Sequence, residues 1–106
     1  MMEQPNLSYI NSMSSGDEVF EKHLLDIIKR EFPLEKQVYF DNVKSNNFKQ
    51  AAQNVHKLKH KISILGLEKS YDIAVAYEEN LLNNDSTLQQ EFESILLVMT
   101  DYLSNV

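Results

Sequence analysis

Cysteine is absent from the 106 residues, and glycine and proline occur only twice each. Without thiols there is no disulfide framework and no thiolate metal centre, which suits a reducing compartment. The two glycines, Gly16 and Gly66, stand far apart, so no glycine-rich loop can cradle the phosphates of a nucleotide. No apolar run approaches the roughly 20 residues that cross a bilayer. The opening "MMEQPNLSYINS" lacks the basic and apolar blocks of a secretory signal. Positive charge is also in deficit. The formal net charge is −6, and a surface that acidic repels nucleic acid phosphates. Together these absences predict a soluble, cytoplasmic protein with neither a nucleic-acid nor a membrane partner.

What is present is a globular composition. With 42% hydrophobic and 25% charged residues, the chain reads as one domain over 1–106 with one core. The charges are unevenly placed. Five of the ten basic residues (Lys44, Lys49, Lys57, Lys59 and Lys61) lie between Asp41 and Glu68, a window that holds no acid. A charge run is most often a solvated face, so the window needs a second observation to carry meaning.

The punctuation predicts helices joined by short turns. "PNLSYINSM" suits a short first helix before the "SSGD" break. Ser15 and Glu18 have capping-box spacing and open a helix to about Phe32, with Phe20, Leu24, Ile27 and Ile28 inward. Pro33 ends that helix and begins another over about Leu34 to Lys44, with Val38 and Val43 inward. Asn47 caps a helix from about Phe48 to Leu65. Gly66 follows as a helix-end residue. A helix from about Glu68 to Leu82 turns Ala74, Tyr77 and Leu81 to one side. Ser86 and Gln89 form a second box before a last helix striped by Leu88, Phe92, Ile95, Met99 and Tyr102. Tyr71, Tyr77 and Met99 read as core, and His23 as incidental. No segment alternates as a strand does. The predicted fold is all-α: an antiparallel four-helix bundle with one or two short additional N-terminal helices.

The helical wheel of the segment after Asn47 puts Ala51, Val55, Leu58, Ile62 and Leu65 in one arc. His56 falls roughly 120° or more from the centre of that arc, at the edge of the solvent face. Lys59 and His60 lie one turn above it, Ser63 a turn further, and Ala52 and Lys49 below. Such a histidine has three readings. It is an ordinary surface residue, a metal ligand with His60 at i+4, or a nucleophile whose product is an anion. Lys57, Lys59 and Lys61 disfavour a divalent cation, and no HExxH or ExxH supplies carboxylates. The same lysines suit a phosphorylated imidazole, whose negative charge they would stabilise.

The stretch "HKLKHKISILGLEK" resembles the signature of histidine-containing phosphotransfer (HPt) domains: a histidine, a lysine three residues on, small residues beyond, and a glycine ten residues after the histidine. His56, Lys59, Ser63 and Gly66 fall on those positions. The likeness extends to Phe48 ahead of the motif, to an amphipathic helix before a proline, and to "AVAYEENL" where the family has a small-residue helix ending in leucine and glutamate. His60 departs from it, since that family usually has glycine there. The resemblance implies that His56 accepts a phosphoryl group from a receiver-domain aspartate and passes it to another receiver. Lys59 would stabilise the phosphoryl group and Ser63 would act as a small spacer. The partners implied are the receiver domains of a hybrid sensor histidine kinase and of a response regulator. The chain itself would be a monomeric carrier without cofactor or metal, not an enzyme.

Two rivals follow from the residues themselves. Phosphorylated helices of autokinases typically place an acid after the histidine, whereas Lys57 stands here, and no ATP-binding loop is present. A non-catalytic helical interaction module would also display amphipathic helices, and the spacing of His56, Lys59, Ser63 and Gly66 argues against it.

Overall fold

The computed structural model describes residues 3–106, and among them all regular structure is helical. Five helices follow in order: α1 (Ser8–Ser14), α2 (Glu18–Lys44), α3 (Phe48–Ile64), α4 (Glu68–Leu82) and α5 (Gln89–Ser104). The all-α expectation holds. α3 packs on both α2 and α4, α5 closes against α4 and α2, and α1 lies on α2. No helix among the described residues is long and apolar enough to cross a membrane.

Pro33 does not divide the second helix. α2 runs through it for 27 residues, about 40 Å at 1.5 Å per residue, nearly the 43 Å length of the molecule. Pro33 has no N–H to give the preceding turn, but it faces solvent, where that deficit is cheapest. The apolar stripe therefore keeps one phase through the proline: Ile28, Phe32 and Tyr39 are buried, and Val43 packs against them. Val38, expected inward, is off this stripe and exposed. Phe20 is exposed as well. α3 spans only about 26 Å and is tied to the C-terminal end of α2, so the first turns of α2 overhang it. The short α1 covers part of that overhang and contributes the buried Ile10.

The turns also differ in detail from the expected caps. Ser15 ends α1 in the left-handed region at φ 50°, and Gly16 follows at φ 86°. The cap of α2 is Asp17, whose carboxylate accepts from the backbone N–H of Val19 and Phe20. Asn47 precedes α3 but makes no side-chain cap bond. Ser86 and Gln89 form no reciprocal box. Gln89 donates its backbone N–H to the Ser86 carbonyl, and Asp85 accepts from Thr87. Asn46 and Asn84 take the left-handed positions after α2 and α4, which asparagine tolerates better than most residues.

The core is built as the α3 wheel requires: Ala51, Val55, Leu58, Ile62 and Leu65 are fully buried. From α4 and α5 come Ala74, Tyr77, Leu81, Phe92, Ile95 and Met99, while Tyr71, Leu88 and Tyr102 are only partly buried. One polar knot lies within this core. The Tyr39 hydroxyl donates to Glu93 at 2.9 Å and stands 2.7 Å from the Tyr77 hydroxyl, so Tyr77 donates to Tyr39. Burial, reinforced by the Glu93 carboxylate that accepts its hydrogen bond, pushes the Tyr39 phenol far above its ordinary range, and burial also raises Tyr77.

Candidate functional site

α3 ends in a hydrogen-bonded lock. The N–H of Leu67 reaches the Ile62 carbonyl and that of Gly66 reaches the Ser63 carbonyl, the paired bonds of a Schellman turn. Gly66 sits at φ 76°, and a Cβ there would come within 2.5 Å of the Asn6 amide. The N-terminal strap uses this close approach. Asn6 donates its N–H to the Leu65 carbonyl, and the Glu3 carboxylate accepts from the N–H groups of Lys69 and Ser70. Burial works against the Glu3 charge, but these bonds outweigh it and hold the carboxyl below its usual range. Both ends of the α3–α4 turn are thereby fixed, which sets the register of α4 against α3.

That register places Glu78 beside His56. The His56 side chain is 54% exposed, and its Nδ1 stands 3.1 Å from Oε2 of Glu78. The other oxygen of the same carboxylate, Oε1, accepts from Lys59 Nζ at 2.9 Å. A carboxylate can only accept, so the hydrogen between them sits on Nδ1, and in the neutral imidazole the lone pair then belongs to Nε2. Lys59 is held inward, 13% exposed, with its ammonium 5.8 Å from the Tyr71 ring centroid. The His60 ring stands edge-on to His56, centroids 5.2 Å apart. On the opposite flank, Ala52, Gln53, Lys57, Glu78 and Leu82 line an open groove of about 390 Å³ that reaches His56.

The lysine cluster expected around His56 is thus divided by the tertiary structure. Lys61 turns to α2, where it bonds Glu31 and Glu35 at 3.0 Å each. Burial disfavours its ammonium, but those two carboxylates outweigh burial and hold its pKa above the usual range. Lys59 shares Glu78 with the histidine. Lys57 lines the groove with no carboxylate partner among the described residues. Ser63 is exposed but lines a different depression, with Glu68, Tyr71 and Asp72. His56, Lys59 and His60 therefore come together, whereas Ser63, further along α3, does not line the groove at His56.

Glu78 is the member of this site that the helical wheel of α3 alone does not identify. Its signal lies in α4, where it follows Ala74 by four residues at the edge of the buried stripe. Only the packing of α4 on α3 shows that this edge meets His56. No group of three or more His, Cys, Asp and Glu among the described residues is arranged to hold a metal ion. The chain matches no protein-family model, no curated protein and no solved structure.

Proposed function

We propose that the chain is a histidine phosphotransfer protein of a phosphorelay, with His56 as the phosphoryl carrier and α2–α5 arranged as an antiparallel four-helix bundle. The observation that supports this most is the state of the imidazole. Its Nδ1 is engaged by Glu78, leaving Nε2 as a nucleophile beside solvent on a rigid helix. In the step proposed, Nε2 attacks the phosphorus of a receiver aspartyl phosphate. The N–P bond forms as the P–O bond to the aspartate breaks, and the aspartate leaves as a carboxylate. No proton needs to move, because Nδ1 keeps its hydrogen throughout. The imidazole gains positive character as it is phosphorylated, and Glu78 is placed to stabilise it, as a carboxylate does in triads. Lys59 is the nearest ammonium for the phosphoryl oxygens, provided it exchanges Glu78 for them.

The receiver of a hybrid sensor kinase would supply the phosphoryl group, the acidic pocket and its metal ion. A response-regulator receiver would take the group onward by the reverse chemistry. Little covalent help is needed from the carrier beyond an in-line nucleophile and charge stabilisation. On this reading the chain is a phosphoryl carrier without autokinase activity, in keeping with the lack of a glycine-rich phosphate loop.

Incubation with a receiver domain charged by acetyl phosphate tests the reading. The chain should acquire an acid-labile, base-stable label, and His56→Gln should fold as the parent does yet take none. An unlabelled parent would identify a helical interaction module instead. A normally labelled His56→Gln would move the phosphoryl site elsewhere.

A further inference from the structure

The two flanks of His56 are unlike. Toward the C-terminal end of α3, the exposed His60 stands edge-on to it, with ring centroids 5.2 Å apart. A side chain four residues on along a helix rises over the same face, so this ring occupies the space beside His56 on that side. Toward the N-terminal end, one turn below, the side chain is the buried Ala52, and the groove opens between α3 and α4. Its apolar wall is Leu82, 58% exposed, and its rim carries Gln53 and the unpaired Lys57. Glu78 closes the third side by holding Nδ1.

Resting on the reading of His56 as a phosphoryl carrier, we propose that His60 is a specificity-determining residue: it walls off one flank of His56, so that a phosphorylated receiver must approach across the groove of Ala52, Gln53, Lys57 and Leu82. The occupant fits by charge and by shape. An acyl phosphate and the acids around it are anionic; Lys57 is the cation on this rim without a carboxylate of its own, and Glu78 in the same lining is already shared by His56 and Lys59. The small Ala52 and the exposed Leu82 leave room for an apolar side chain beside the phosphorylated aspartate. Receivers carrying bulk on the His60 side are excluded, which is selection by clash and not by added affinity.

Two donors separate docking from chemistry. Phosphoramidate reaches an exposed imidazole without docking, whereas a receiver charged with acetyl phosphate must seat on the surface. The quantity read is the ratio of receiver to phosphoramidate labelling rates at His56, over a panel of receivers of unrelated sequence. His60→Ala should raise that ratio at least tenfold for receivers the parent uses poorly. Gln53→Trp, which fills the groove from an exposed position, should lower it at least tenfold for the receiver the parent uses best. Ratios within twofold of the parent for either variant overturn the proposal. So does His60→Ala slowing both donors alike, which would make His60 part of the chemistry. A parent labelled at His56 by neither donor overturns the phosphotransfer reading itself.

Discussion

Glu78 is the residue that joins the site together, because one carboxylate serves both His56 and Lys59. Glu78→Gln keeps an oxygen able to accept from Nδ1 but removes the charge that, on the proposed carrier reading, would stabilise a phosphorylated, more cationic ring. Transfer to His56 should slow by about tenfold, and the phosphohistidine should be shorter-lived, because its more cationic ring has lost the stabilising charge while the neutral imidazole that leaves needed it less. Equal rate and equal lifetime in quenched-flow labelling would show that the carboxylate does not act on the ring. Lys59 needs a variant that keeps its packing, since its side chain is mostly buried, with the ammonium near the Tyr71 ring. Lys59→Met frees Glu78 for His56 alone. If the ammonium serves the phosphoryl oxygens, transfer should still slow by about tenfold, at a stability cost under about 1 kcal/mol. Faster transfer in that variant would mean that Lys59 acts only as a brake on Glu78.

At the scale of elements, the α3–α4 turn sets the distance between His56 and Glu78. Gly66 holds it in two ways: by a left-handed backbone, and by leaving space for Asn6. Gly66→Ala should cost about 1–2 kcal/mol in urea unfolding, combining the left-handed penalty with the clash. Removing the Asn6 side chain should relieve only the clash. The Gly66→Ala, Asn6→Ala double variant should therefore lose less than the sum of the single losses. Strict additivity would show that the two do not meet. α2 makes a different point about elements. A proline stops a helix where its ring or its missing N–H meets a packed neighbour, and Pro33 meets solvent. The buried stripe from Ile28 to Tyr39 then continues through it.

For the whole molecule, the pH dependence of stability follows from the few groups that are displaced from their ordinary ranges. The Glu3 carboxyl, despite some burial, is held low by the N–H groups of Ser70 and Lys69 at the start of α4. A depressed carboxyl stabilises the fold above its unfolded value of 4.5, and that stability is lost as pH falls through the lower folded value. Urea melts should thus show Glu3→Gln less stable than the parent at neutral pH, with the gap narrowing progressively below 4.5. A gap independent of pH would mean that the carboxylate charge is not what anchors the strap. On the alkaline side the sign reverses. Tyr39 and Tyr77 are raised chiefly by burial, so they stabilise the fold below their unfolded value of 10.0, and that stability is lost as pH rises beyond it.

The amino-acid sequence by itself determined the features that depend on local geometry. The 3.6-residue period buries Ala51, Val55, Leu58, Ile62 and Leu65 and turns His56 outward, and Gly66 supplies the left-handed turn that ends α3. The same logic misplaced Val38, because whether a proline breaks a helix depends on what its ring faces. Tertiary structure alone decided the electrostatics. The stretch between Asp41 and Glu68 holds no acid in sequence, yet Glu31 and Glu35 reach into it from α2 and Glu78 reaches in from α4. Glu78 lies 22 residues from His56 along the chain and 3.1 Å from it in space. Coulomb interactions depend on distance through the fold and not on order along the chain, so the partners of these lysines were settled only when the helices packed.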